Sequence, residues 1–497
     1  MGAYVGIDLG TTFSAISHID DTGRPTVLHS KEGQNITPSC VAIYDGEMHV
    51  GEQARKAWGI DDENVAARFK RDMGSTKTFK LDGNEFTPTT LSAAVLKKLK
   101  ADAEAQIGEI SEAVVTIPAN FSQEAREATM DAAKQAGLNV NYIINEPTAA
   151  ALYYAFKSGE ELSGIYAVYD LGGGTFDVSV IQVSGQDVDV LSSNGVARLG
   201  GDDFDHACRE IVNKKHLEEH GRELEEGDYL INDAEEEKKS LSSRKRVIAK
   251  VGRQAIEVRR EDFEDAISHL VAQAEMLCET TIEEAGVEAS DIRGVFLAGG
   301  STRIPAVSES IKRVFGQEPI STVNVDEVVA LGAALYAAYK SDGQDLNAAQ
   351  KDAIKRIKVT ESANKCFGTI SIGMNENRKE FKEQNSILIR KGEKIPCSVT
   401  ESFYTVSENQ TAVKCIVTES TSPETDPRFV KVIWQGELRL PPDRPEGQEV
   451  QVTFGYDECQ IMSCSFKDVE SGKEETIDLT MSASSGANEE IEKFTVE

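Results

Sequence analysis

Basic residues are in short supply. Lys and Arg total 53 against 84 Asp and Glu, a formal charge of −31. Such a surface repels nucleic acid and anionic membrane, because nonspecific DNA binding depends on basic residues that displace counterions. Long apolar runs are missing too: none approaches the roughly 20 residues that a helix needs to span a bilayer. No charged leader with a cleavage site precedes the first strand, so no secretion signal is expected. None of the eight cysteines forms a Cys-x-x-Cys pair. They therefore read as reduced thiols of the cytoplasm, although Cys459 and Cys464 are near enough in sequence to meet. His216 and His220 have the i, i+4 spacing of helical zinc ligands. Leu217 stands where the His-Glu-x-x-His motif has glutamate, and no further ligand is evident, which predicts a solvent-facing helix.

What the chain does have is two glycine-rich turns, each opened by an aspartate and fed by an apolar strand. The first is Gly6-Ile7-Asp8-Leu9-Gly10-Thr11-Thr12; the second is Asp170-Leu171-Gly172-Gly173-Gly174-Thr175. Strand-like stretches follow both, Phe13 to His18 and Phe176 to Val183. Glycine permits positive φ and close approach of a ligand to the main chain, and successive N–H groups in such a turn form an anion-binding nest. Two facing nests can hold a polyphosphate, with Asp8 and Asp170 beside it to manage a metal ion. The duplication implies two related half-domains. Taken alone, an aspartate before glycine is a common turn former.

The 497 residues suffice for several domains. Strands and helices alternate from residue 1 to about 340, as an α/β architecture requires. A strand from Ala113 to Ile117 precedes a helix that Ser122 caps and Gly137 ends. Leu91, Val95, Leu99 and Ala103 recur at helical spacing and should face a core. Asn145-Glu146-Pro147 opens an alanine-rich helix, where proline suits the first turn. Arg244-Lys245-Arg246 reads as a solvated turn between strands. The strand Gly294 to Leu297 leads into Gly299-Gly300-Ser301-Thr302-Arg303 and another helix. Past a polar stretch at 341–362, alternating runs (Ala412 to Val417, Val430 to Trp434, Val450 to Phe454) predict a small β-sandwich or barrel.

These motifs, in this order and joined by Asn145-Glu146-Pro147-Thr148-Ala149-Ala150-Ala151 and Gly299-Gly300-Ser301-Thr302-Arg303-Ile304-Pro305, resemble the seventy-kilodalton heat-shock chaperones of the actin and hexokinase superfamily. The later segments Asn409-Gln410-Thr411-Ala412-Val413, Val452-Thr453-Phe454 and Ala483-Ser484-Ser485-Gly486 resemble that family's substrate-binding β-sandwich. The resemblance implies an α/β, actin-like duplicated ATPase domain with ribonuclease H-like halves over 1–342. A linker would follow over 343–362, a β-sandwich over 363–484 and an acidic tail over 485–497.

The same resemblance implies an ATPase that turns ATP and water into ADP and phosphate with magnesium. Asp8 and Asp170 would belong to the magnesium sphere through water, since magnesium dehydrates reluctantly. Lys70, Glu146, Asp170 and Thr175 take the catalytic positions: Lys70 touches the γ-phosphate and attacking water, which Glu146 and Asp170 orient. Gly10, Thr11, Thr12 and Phe13 cradle one side of the phosphates, and Gly172, Gly173, Gly174 and Thr175 the other, with Gly200 and Gly201 nearby. Glu235, Lys238 and Ser242 match the adenosine-side helix. Gly299, Gly300, Ser301, Arg303 and Asp326 complete the base and ribose pocket. Implied partners are unfolded or specific client polypeptides, a J-domain-type co-chaperone and a nucleotide exchange factor. Pro118 and Arg126 match the interdomain relay. On its own, Lys70 reads as a surface lysine and Glu146 as a helix N-terminal acid.

Several departures accompany the resemblance. Ala353-Ile354-Lys355-Arg356-Ile357-Lys358-Val359-Thr360 replaces a leucine-rich linker and offers less apolar surface, which predicts weaker coupling between nucleotide and client. Charged residues in Gly373 to Glu380 predict an altered peptide groove. The chain stops about where a helical lid would begin, so quick release of peptide is expected. Shortening near Ser75 to Leu81 and Arg246 to Gln254 predicts a poor fit to exchange factors of the usual kind. A nucleotide-switched scaffold with little turnover is the alternative, and a small-metabolite kinase a more distant one.

Overall fold

Small residues decide how the centre of the first unit packs. The alanine-rich helices Glu146–Ser158 and Val328–Lys340 approach at backbone distance. A Cβ added at Gly332 would lie 1.7 Å from the carbonyl oxygen of Ala149, and one at Gly6 would lie 2.1 Å from the nitrogen of Ala334. Only hydrogen fits at either place, because larger groups would overpack a close-packed interior.

A computed structural model describes every residue except 1, 62, 159–161, 226, 322, 356, 376–379, 459–460 and 479–497. The expected acidic tail, the Ala483–Gly486 motif, the charged run 376–379 and Cys459 lie outside the described residues. The chain divides into two compact units. One contains Met1–Phe121 and Ala128–Val359; the other contains Ser122–Glu127 and Thr360–Ala483.

The first unit is mixed α/β. Its six-stranded sheet runs Tyr142–Asn145, Ile110–Ile117, Ala3–Asp8, Phe13–Ile19, Pro25–Leu28, with Thr37–Pro38 paired to Phe13–Ile19 off that path. Its five-stranded sheet runs Ile292–Ala298, Ser163–Leu171, Phe176–Ser184, Gln186–Val196, Ile357–Thr360. In each, a strand ending near an aspartate is parallel to one neighbour and antiparallel to the strand that follows it. Val5, Ile7, Ala167 and Val168 are buried, as strands covered on both faces require. Leu91, Val95, Leu99 and Ala103 are buried along Pro88–Ile107, as their spacing predicts. Among the described residues, no helix is long and apolar enough to cross a membrane.

Three local readings change. Arg244 to Arg246 joins the helix Ile231–Ser243 to the strand Arg246–Val251, so it lies between a helix and a strand. His216 is buried rather than solvent-facing. Its Nδ1 bonds with the carbonyl of Arg222 and its Nε2 with the side chain of Gln254. The stretch expected as linker contributes the helix Ala348–Ile354 and the edge strand Ile357–Thr360, with Ile354 and Ile357 buried in the core of the first unit.

The second unit has two four-stranded antiparallel sheets. One runs Glu380–Ile389, Cys366–Asn375, Ala412–Ser420, Lys431–Arg439; the other runs Cys397–Tyr404, Glu449–Tyr456, Met462–Asp468, Glu474–Asp478. Side-chain alternation explains the core: Val450, Val452, Phe454 and Tyr456 point inward, as do Met462, Cys464 and Phe466. Asp468 is the buried charge in this series. Arg444 donates to it at 2.7 Å, and the Ser471 hydroxyl also bonds to it.

Candidate functional site

The two glycine turns touch. A Cβ at Gly173 would lie 2.1 Å from the Thr12 hydroxyl oxygen, and one at Gly174 would lie 2.5 Å from Thr11 Cγ2. Glycine is what lets these main chains meet across the cleft. The first turn is braced by Gly10 N–H donating to Ser14 Oγ at 3.1 Å and Ser39 Oγ donating to Gly10 O at 2.7 Å. In the second, Gly172 N–H donates to Thr175 O at 3.1 Å.

Between them lies a cavity of about 100 Å³. Asp8, Gly10, Thr11, Thr12, Phe13, Lys70, Glu146, Asp170, Gly172, Gly173, Thr175, Gly299, Gly300 and Asp326 all line it, along with Val325 and Val329. Lys70 is 5% exposed, and its Nζ donates to Glu146 Oε1 at 2.7 Å. Burial would lower the lysine pKa, but the carboxylates of Glu146 and Asp8 more than reverse this and hold it above its ordinary value. Glu146 is also the first residue of the helix Glu146–Ser158, so it interacts with a helix N-terminus as well as with lysine.

Negative charge exceeds positive here. Burial, then Glu146, pushes Asp8 up to about 7, although Thr116 Oγ1 donates to it at 3.1 Å. Burial, then Glu146 and Asp177, raises Asp170 well above the carboxylate range. Asp177 is pushed up to about 8 by burial and then Glu146. It stands directly opposite Asp170 on the adjacent strand, and its side chain lies against Gly195, where a Cβ would come within 2.2 Å of Oδ1. Asp177 lies two residues past the second glycine turn, where the sequence pattern gives it no place in the site. Its burial, invisible in one sequence, is what marks it.

Of the other expected residues, Gly299 and Asp326 line the cavity, whereas Gly174, Gly200, Gly201, Ser301 and Arg303 stand beside its walls. Gly201 N–H donates to Gly172 O at 3.0 Å, and Gly200 N–H to Asp203 Oδ2 at 2.9 Å, so this turn supports the Gly172–Thr175 turn from behind. Ser301 Oγ donates to Gly172 O at 2.9 Å. Gly299 has φ +80°, and a Cβ there would lie 2.4 Å from the Leu171 carbonyl. Gly174 adjoins Thr11 and Arg71. Arg303 pairs with Asp326 at 2.8 Å.

Glu235, Lys238 and Ser242 share the helix Ile231–Ser243 at spacings that place them on one side. Glu235 pairs with Arg55 and, at 3.1 Å, with Lys239. Lys238 donates to Gly201 O at 2.9 Å and pairs with Asp205 at 2.6 Å. The Ser242 carbonyl accepts from Arg260 Nη2 at 3.3 Å; that residue does not line the cavity.

A sequence model of one family, described as Hsp70 protein, matches residues 4–81 and 76–497. The chain belongs to the Hsp70 family. Membership implies an ATP-dependent, chaperone-type function. Hsp70 members are ATPases that bind ATP or ADP with Mg²⁺, and they bind client polypeptides and co-chaperones.

The donor set suits that ion. Carboxylate oxygens of Asp8 and Asp170 are hard ligands; burial first, and then the Glu146 carboxylate, raises the proton affinity of both, and a bound cation would oppose that rise. The Thr12 hydroxyl is buried without a protein partner on the same wall. Among the described residues, no group of three or more His, Cys, Asp or Glu side chains is placed to hold a metal by itself.

The second unit has its own cavity, about 300 Å³, lined by Ile370, Ile372, Phe403, Tyr404, Val406 and Val413 among others. Glu383 and Lys414 add charges to its wall. Ile372, Tyr404 and Val406 are large apolar residues left 49%, 61% and 48% exposed, which is where an apolar ligand would remove surface from water.

Proposed function

We propose that this Hsp70 protein hydrolyses ATP in the cleft and binds apolar polypeptide segments in the cavity of its β-sandwich unit. The observation that carries the first half is the buried Lys70–Glu146 pair on the wall of a cavity shared by both glycine turns. Phosphoryl transfer to water is mostly positioning and charge neutralisation. The turns supply N–H donors and close backbone approach for the phosphates. Glu146 fixes the Lys70 ammonium at 2.7 Å, so that its charge meets the transferring phosphoryl group. Asp170 accepts a hydrogen bond from the attacking water. Magnesium, when bound beside Asp8 and Asp170, neutralises phosphate charge. Glu235, Lys238, Ser242, Arg303 and Asp326 hold the adenosine side.

The second half rests on the exposed apolar side chains Ile372, Tyr404 and Val406. Covering them is favourable by roughly 25 cal/mol per Å² of apolar surface. We place client polypeptides there, and the cytoplasm as the compartment, where the described cysteines stay free thiols.

A nucleotide-switched scaffold remains the second reading, favoured by the ion pairs Arg55–Glu235 and Arg71–Asp202, which tie segments far apart in sequence around the cleft. Single-turnover ATP hydrolysis, with and without an unfolded client, decides between them. Phosphate release that depends on Lys70 and accelerates with client supports the chaperone reading. ATP binding without phosphate release supports the scaffold.

A further inference from the structure

Arg68 has φ +61°, a left-handed conformation that an L-residue adopts only when its surroundings impose it. Those surroundings are specific. Its guanidinium carbon lies 3.6 Å from the centroid of the Trp58 ring, a cation–π arrangement. Its Nε and Nη2 donate to the two carboxylate oxygens of Asp202, the bidentate geometry that gives strong, directional pairing. Arg71 adds a third donor to the same carboxylate, Nη2 to Oδ2 at 3.0 Å, and also donates to Gly174 O at 2.8 Å. Asp202 is in turn tied to the phosphate-side turn, its N–H donating to Gly173 O at 2.7 Å.

Lys70 sits between these two arginines in the single helical turn Phe69–Asp72. An acid in the first turn of the helix Gly201–His220 would favour that helix anywhere on its surface. Such a role needs neither two arginines nor a strained backbone. We propose that Arg68, held by Trp58 and gripping Asp202 together with Arg71, is a positioning residue that sets Lys70 against the Gly172–Thr175 turn. The pair is only 16% and 8% exposed, so salt screens it less than a surface pair. This inference rests on the reading of the cleft as an ATPase site.

The test measures single-turnover hydrolysis of saturating ATP and equilibrium binding of a fluorescent ADP, MANT-ADP, on the full chain. Arg68→Ala and the near-isosteric Asp202→Asn are compared with Arg68→Lys. The hydrolysis constant should fall roughly tenfold in the first two, as loss of a charge-assisted pair implies. MANT-ADP affinity should change by less than about threefold, since only a point-charge contact to the reacting group is displaced. Arg68→Lys should recover part of the rate, because it keeps the charge and loses the fork. Hydrolysis unchanged in both Arg68→Ala and Asp202→Asn overturns the proposal. Affinity and hydrolysis falling together also overturns it, in favour of a purely structural tie. A wild-type chain that binds MANT-ADP but does not hydrolyse ATP overturns the ATPase reading itself, and the role of Arg68 with it.

Discussion

In the cleft, backbone turns and ionisable groups make the wall, and its Lys70 and Glu146 are buried, both below 9% exposed. In the two-sheet unit the wall is apolar, and several of its side chains face solvent. The first arrangement suits a charged ligand, whose partners gain strength as water is excluded. The second suits an apolar one, whose binding consists largely of removing water from carbon. One chain thus carries two cavities of opposite chemical character in two separately built cores.

The sharpest way to break this contrast is to damage one core. Phe454 is fully buried in the two-sheet unit. Phe454→Ala should cost about 3–5 kcal/mol there, seen as a lower denaturant midpoint in Trp434 fluorescence. Nucleotide binding should persist; its loss would show that the two cores depend on each other.

Next in size is Lys70→Ala. Removing one preorganised donor from a phosphoryl-transfer site should slow single-turnover hydrolysis by roughly 10²–10³. Nucleotide should still bind, and a rate within threefold of wild type would remove Lys70 from the chemistry.

A smaller effect is expected at Tyr404, 61% exposed on the apolar cavity. Tyr404→Ala should weaken binding of an apolar peptide several-fold, by fluorescence anisotropy, with little change in stability. An unchanged affinity would place the client elsewhere.

The smallest is a pH effect. Burial alone would raise Asp468, but hydrogen bonds from Arg444 and Ser471 hold it below the usual carboxylate range. With its pKa depressed by folding, Asp468 contributes stability above the unfolded value of about 4. That contribution is lost as pH falls through the folded value. The denaturant midpoint of the two-sheet unit should therefore drop below pH 4, and Asp468→Asn should flatten that dependence. An equal drop in the variant would assign it to other carboxylates.

Much of the cleft was legible because its needs are local. A turn that approaches a ligand or another turn requires glycine, and Gly173, Gly174 and Gly299 announce this in sequence. Burial is not local. Lys70 looks like any surface lysine, and Asp177 like any polar end of a strand motif. His216 reads as exposed because the partners on its ring, Arg222 and Gln254, come from outside its own helical turns. Arg68 and Asp202 are 134 positions apart, and no spacing rule connects them. In the two-sheet unit, alternation foretold the strands around Val450 and Ala412. It could not show which apolar residues would be left uncovered, since that depends on how the ends of different strands meet.

The edge strand Ile357–Thr360 has a practical consequence for anyone who wishes to study the cleft by itself. It is the outermost member of the five-stranded sheet, beside Gln186–Val196. A fragment cut at residue 342 would strip that neighbour and leave a row of unpaired N–H and C=O groups, a template for edge-to-edge aggregation. Carrying the fragment through Thr360 keeps the edge covered, and solubility of the two lengths side by side would show how much these few residues protect.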